Sequence, residues 1–122
     1  MGYRSEVELA VTAEALTYLM VKLAGNEEAR KMVFEHHDLL DTDYDGEGGL
    51  KVHWEYIKWY DSYKEVQAIE EFLNEMDEMC RPHGEGGDMD EQYRFCRIGE
   101  DRDDNEERGY LRAFDIERRI TI

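Results

Sequence analysis

The residues best suited to chemistry lie in the stretch DTDYDGEGGL, where Asp41, Asp43 and Asp45 alternate ahead of Gly46. Oxygen ligands at the first, third and fifth positions, followed by glycine, open the calcium loop of an EF-hand. The second half of that pattern is missing. Gly48 stands where an aliphatic residue anchors the loop, and Val52 stands where the bidentate glutamate is required. The residues that follow alternate like a strand instead of continuing as a helix. Glu47 and Glu55 are left to assist an irregular site. The favoured reading is an acidic hairpin turn, with no metal and no other cofactor expected.

A zinc site can be assembled on paper from Cys80, His83 and Cys96 with His36, His37 or His53. Only Cys80-Arg-Pro-His83 has the tight paired spacing of structural zinc ligands. Cys80 also falls on an apolar helical stripe, where a buried thiol is ordinary. Cys96 lacks the flanking residues of a nucleophile motif. The glycines between 84 and 87 lie among acids that would repel phosphate, unlike a phosphate-cradling loop. The chain is therefore expected not to be an enzyme.

Charge is the more informative quantity. The 122 residues carry 31 Asp and Glu against 15 Lys and Arg, a net charge of −16. Such a surface repels nucleic acid and anionic membranes, since sequence-independent DNA affinity comes from Lys and Arg displacing counterions. A natural partner is expected to be basic. On a helix from about Tyr63 to Cys80, Glu71, Glu75 and Glu78 fall at i, i+4 and i+7, with Glu70 and Asp77 beside them. A second set, Asp101, Asp103, Asp104, Glu106 and Glu107, follows in a polar stretch. Exposed like charges about 6 Å apart cost roughly 0.7 kcal/mol per pair in water, a penalty that a basic partner would relieve. Other readings stay open: a merely solvated helix face, adaptation to salt or solubility, and a polar hairpin tip for the second set.

These groups need a scaffold, and residues 1–122 read as a single domain with a core of its own. Tyr3, Val7, Leu9 and Val11 alternate as a strand against Arg4, Glu6 and Glu8. Thr12 offers a helix cap ahead of Leu16, Leu19, Met20 and Leu23; Gly25 stops that helix and Asn26 caps a continuation with Ala29, Met32 and Val33. Leu50, Val52, Trp54 and Tyr56 share a strand face opposite Lys51, His53 and Glu55, with Leu40, Thr42 and Tyr44 as partner strand and 45–49 as the hairpin connection. Ser62 to Glu65 reads as a capping box before an amphipathic helix with Val66, Ile69, Phe72, Leu73, Met76 and Cys80 inward. Pro82 and the glycines after it end that helix. Tyr93 and Phe95 begin a strand with Arg94 and Cys96 on its other side, and Phe114, Ile116, Ile120 and Ile122 form a last one. If the second sheet face is open, Ile57 and Trp59 make an apolar contact patch; coverage by the helix cap or a homodimer is the alternative. The expected fold is α+β: an antiparallel sheet of four to five strands with helices packed on one face, a ferredoxin-like variant.

No run of about 18 apolar residues is present, and the opening lacks a secretory pattern. Two cysteines suit a reduced, cytoplasmic chain. The opening MGYRSEV, leading into an apolar strand and a helix, resembles the start of a group of small phage-encoded proteins. The match covers those seven residues. It implies a phage accessory origin, action in the host cytoplasm and no catalytic residues. Small acidic phage proteins include inhibitors of host defence or nucleic-acid enzymes, among them anti-CRISPR and DNA-mimic proteins. The expectation is a non-enzymatic inhibitor that occludes the basic nucleic-acid-binding surface of a host or defence protein. It would contact neither nucleic acid nor membrane itself, and a homodimer is left open. The alternatives are a calcium-binding or structural module using Asp41 to Asp45, and an acidic protein with no mimicry role.

Overall fold

A computed structural model describes residues 3–80, 92–101, 103–109 and 111. In chain order its elements are β1 (Ser5–Val11), α1 (Ala13–Ala24), α2 (Glu27–Phe34), β2 (Leu39–Asp41), β3 (Leu50–Ile57), α3 (Lys64–Cys80), β4 (Tyr93–Gly99) and β5 (Asn105–Gly109). The sheet runs β2-β3-β1-β4-β5 with every neighbour antiparallel. Strands β1 to β4 follow the split β-α-β order of a ferredoxin-like plan, and β5 is added beyond β4. The expected α+β architecture is what the chain adopts.

Alternation decides which face is covered. Val7, Leu9 and Val11 of β1 align with Trp54, Val52 and Leu50 of β3 and with Tyr93 and Phe95 of β4, all turned toward the helices. The helices add Ala15, Leu19 and Leu23, then Ala29, Met32 and Val33, then Val66, Ile69, Phe72, Leu73 and Met76, each buried. Truncating a buried aromatic such as Trp54 costs about 3–5 kcal/mol, so this layer dominates stability. The Thr12 hydroxyl accepts the Ala15 amide and the Asn26 side chain accepts the Ala29 amide, so the break at Gly25 produces two capped helices.

Several expectations need correction. Tyr56 does not share the face of Trp54; it is 67% exposed. The pairs Val7–Trp54 and Ser5–Ile57 advance three residues on β3 for two on β1, and this bulge reverses the alternation so that Ile57 packs inward. Met20 is 42% exposed, because α1 packs on its Ala15, Leu19 and Leu23 edge. Strand β2 stops at Asp41, leaving Thr42 and Tyr44 in the connection. The first backbone bond of α3 runs from the Gln67 amide to the Tyr63 carbonyl, one residue later than a Ser62 cap would place it. Trp59 is buried between Trp54 and Phe95 rather than forming a contact patch, with Ile57 packed against the same core. The polar stretch after Gly99 contains β5, so Glu106 and Glu107 belong to a strand and not to a loop tip. The expected strand from Phe114 to Ile122, the helix end near Pro82, His83 and the Cys80 side chain lie outside the described residues.

Candidate protein-binding surface

The carboxylates singled out on α3 and around β5 meet basic side chains that sequence spacing does not show. Arg108 of β5 reaches across to α3, with Nη2 2.6 Å from Asp77, Nη1 3.3 Å from Glu70 and an Asn74 oxygen at 2.9 Å. Arg97 grips Asp104 with both terminal nitrogens and lies 3.6 Å from Glu106. Arg94 bonds Glu107 at 2.6 Å. Lys22 of α1 reaches Glu75 at 2.5 Å and Glu71 at 3.6 Å. Glu78, Asp101 and Asp103 are the exposed remainder of the ten. The structure thus pairs seven of the ten with cations, in separate groups along α3 and on both faces of the β5 edge, rather than leaving a bare negative array.

The shifts follow from these contacts. The Arg97 guanidinium, helped by the Tyr3 hydroxyl, holds the Asp104 carboxyl down at about 2. Burial raises Glu70 even though its oxygens accept from the Trp59 indole and Arg108. Four cations set against these seven carboxylates offset just over half of their charge, so the field of this flank is weaker than the same acids would give unpaired.

The β2 edge is built differently. Between Lys31 and Lys51 the chain has Glu35, Asp38, Asp41, Asp43, Asp45 and Glu47 and no Lys or Arg. Backbone amides fix four of these carboxylates. Asp38 accepts from the Glu55 amide at 2.6 Å, Asp41 from Asp43 at 3.0 Å and Asp43 from Gly48 at 2.8 Å. Asp45 accepts from both Glu47 and Gly49, at 2.9 and 3.0 Å, which lowers its pKa. Gly46 and Gly48 make this winding possible, with φ of 72° and 87°. Tyr44 anchors the loop by donating to the Val11 carbonyl at 3.3 Å, and burial pushes its phenol up to about 12. Lys51 lies beside the loop, opposite Asp41 and over the Tyr44 ring. Each pinned aspartate remains exposed.

Among the described residues no three carboxylate, imidazole or thiol groups are arranged to hold a metal ion. One oxygen each of Asp41, Asp43 and Asp45 accepts from the loop's own amides, which is turn chemistry. Of the zinc set, Cys96 is buried on β4 and His37 bonds the Val33 carbonyl through Nδ1. His53 is separated from Cys96 by β1: Glu8 is the direct neighbour of both. The thiol and imidazole stand two strand spacings apart, about 10 Å, with a carboxylate between them.

His53 instead takes part in a group that sequence reading missed. Its Nδ1 lies 2.9 Å from Glu8 and its Nε2 2.8 Å from Glu6. Carboxylates only accept, so two ionised partners require both ring nitrogens to donate. The hydrogen bond to Glu8 raises the His53 pKa against the opposing effect of burial, and Glu6 adds to it. While protonated, this imidazole donates to both carboxylates and clasps β1 to β3.

No protein-family model, curated protein or solved structure matches the chain. Function is therefore argued from the surface itself. Among the described residues, no helix is long and apolar enough to cross a membrane.

Proposed function

We propose that the chain is a non-enzymatic binding protein that covers a basic patch on a nucleic-acid-handling protein and so excludes DNA or RNA from it. One observation carries this reading: Asp38, Asp41, Asp43 and Asp45 are held by backbone amides along a sheet edge whose sequence has no Lys or Arg between 31 and 51. Pinned carboxylates need little ordering when a partner arrives, whereas a mobile side chain loses about 0.5–1.5 kcal/mol on immobilisation. One exposed ion pair contributes only about 0.2–1 kcal/mol. Four acting together reach about a hundredfold in affinity. Association would be fast and salt-sensitive. The α3 and β5 carboxylates then add to the long-range field, and the β2 edge makes the contact. The opening MGYRSEV adds the expectation that the partner is a host or defence protein, met in the host cytoplasm.

The test is capture from a bacterial lysate by the chain and by a variant with Asp38, Asp41, Asp43 and Asp45 changed to Asn. Asparagine keeps the side-chain oxygen that accepts the amide and removes only the charge. The expected partner binds nucleic acid, is released by duplex DNA or raised salt, and is lost with the variant. A partner held equally by the variant, or one that nucleic acid does not displace, contradicts the proposal.

A further inference from the structure

We propose that the groove where β1 begins, β3 ends and α2 and α3 approach binds a small zwitterion of amino-acid to dipeptide size. It is a half-open groove of about 360 Å³, within the range of small-molecule sites. The β3 bulge shapes it, turning Tyr56 outward, and the Arg4 guanidinium lies 5.3 Å from the centre of that ring. Met32, Trp54 and Ile57 supply apolar lining.

The charged groups divide by layer. Arg4 and Lys58 belong to the strand ends, whereas Glu28 stands on α2 and Glu65 on α3. Among the described residues, none of these four is ion-paired with another. That is notable in a chain whose Lys22, Arg94, Arg97 and Arg108 all hold carboxylates. Asp38 also lines the groove, but one of its oxygens is taken by the Glu55 amide. An anion alone would bring its charge up to Glu28 and Glu65, and a cation alone would meet Arg4 and Lys58. A molecule carrying both a carboxylate and an ammonium satisfies the two walls at once, with an apolar side chain against Ile57 and the exposed Tyr56 ring. This site is separate from the acidic contact proposed for the β2 edge and does not depend on it.

Amide NMR titration of the full chain with L-phenylalanine and with glycyl-L-phenylalanine tests the assignment. At least one of them should give saturable shifts at Trp54, Tyr56 and Ile57. L-phenylalaninamide lacks the carboxylate and N-acetyl-L-phenylalanine lacks the ammonium; each should bind about tenfold more weakly, the loss expected for one charged hydrogen bond. Arg4→Gln and Glu65→Gln should each weaken binding by about the same factor while the rest of the spectrum stays in place. Absence of saturable shifts with both zwitterions, shifts outside the groove, or equal binding of the capped compounds would overturn it.

Discussion

Along β5 and the flank of α3, Arg94, Arg97 and Arg108 draw carboxylates into pairs as short as 2.6 Å, and Lys22 does the same for Glu71 and Glu75. Along β2 the carboxylates are held by the chain's own amides, and charge there is left for a partner. The two edges are four strand spacings apart, about 19 Å. Acid density alone does not locate an interaction surface; the position of the cations does. The α3 stripe has the more regular spacing, yet its acids mainly fasten helices and strands together.

The largest effect should come from breaking the paired side. Arg108→Ala leaves Glu70 and Asp77 facing each other without their cation, and it should lower stability by about 2–3 kcal/mol, less than for a fully buried pair because both partners retain some solvent contact. Urea unfolding midpoints at unchanged slope would measure it. A loss under about 0.5 kcal/mol would mean that the flank is only a solvated face.

Gly49→Ala attacks the other side without changing charge. The new Cβ would lie 2.6 Å from an Asp45 carboxylate oxygen and 2.8 Å from the Val11 carbonyl oxygen. Backbone yields least, so the Asp45 carboxylate should be displaced from its amides. The expected cost is about 1–2 kcal/mol, with partner binding weakened about tenfold. Unaltered binding, measured by titration calorimetry, would show that net charge suffices and that fixed geometry is irrelevant.

Two pH dependences separate the regions further. Asp104 is depressed to about 2 by Arg97 and then Tyr3, so its contribution is present above the unfolded value of about 4 and is lost as pH falls toward 2. Asp104→Asn should flatten that acid limb of the stability curve. His53 is raised, so its contribution is complete below about 6.5 and disappears as pH rises through the folded pKa. The stability advantage of the wild type over His53→Gln should therefore shrink on the alkaline side, and the ring-proton NMR titration should be centred above the unfolded value. A midpoint below it would contradict the double carboxylate clasp. The smallest effect is expected from Glu71→Gln, Glu75→Gln and Glu78→Gln combined, about threefold in partner affinity.

Much of the scaffold was legible because burial and periodicity coincide. Val7, Leu9 and Val11 alternate, the inward residues of α3 recur at helical spacing, and Thr12 and Asn26 cap where their side chains permit. Strand β5 was not, since Asn105–Gly109 has no apolar alternation: its inward residues are Glu106 and Arg108, which face partners in charge rather than in hydrophobicity. The bulge that exposes Tyr56 depends on β1–β3 register. Register likewise hides the Glu6–His53–Glu8 group, whose residue types were visible as outward positions on two separate strands. The α3 acids could be read as a stripe, but their cations come from α1 and β5. Asp41, Asp43 and Asp45 stand out by their EF-hand-like spacing, which reads as an acidic hairpin turn with calcium as the alternative, because the same spacing that coordinates an ion also caps consecutive amides.

Amide NMR titration with an arginine-rich peptide tests the central claim most directly, since it asks where the folded chain accepts a cation. Saturable shifts concentrated between Asp38 and Gly49, fading as salt is raised, are the predicted result. Shifts centred on Glu71, Glu75 and Glu78, or spread evenly over every acidic residue, would contradict it.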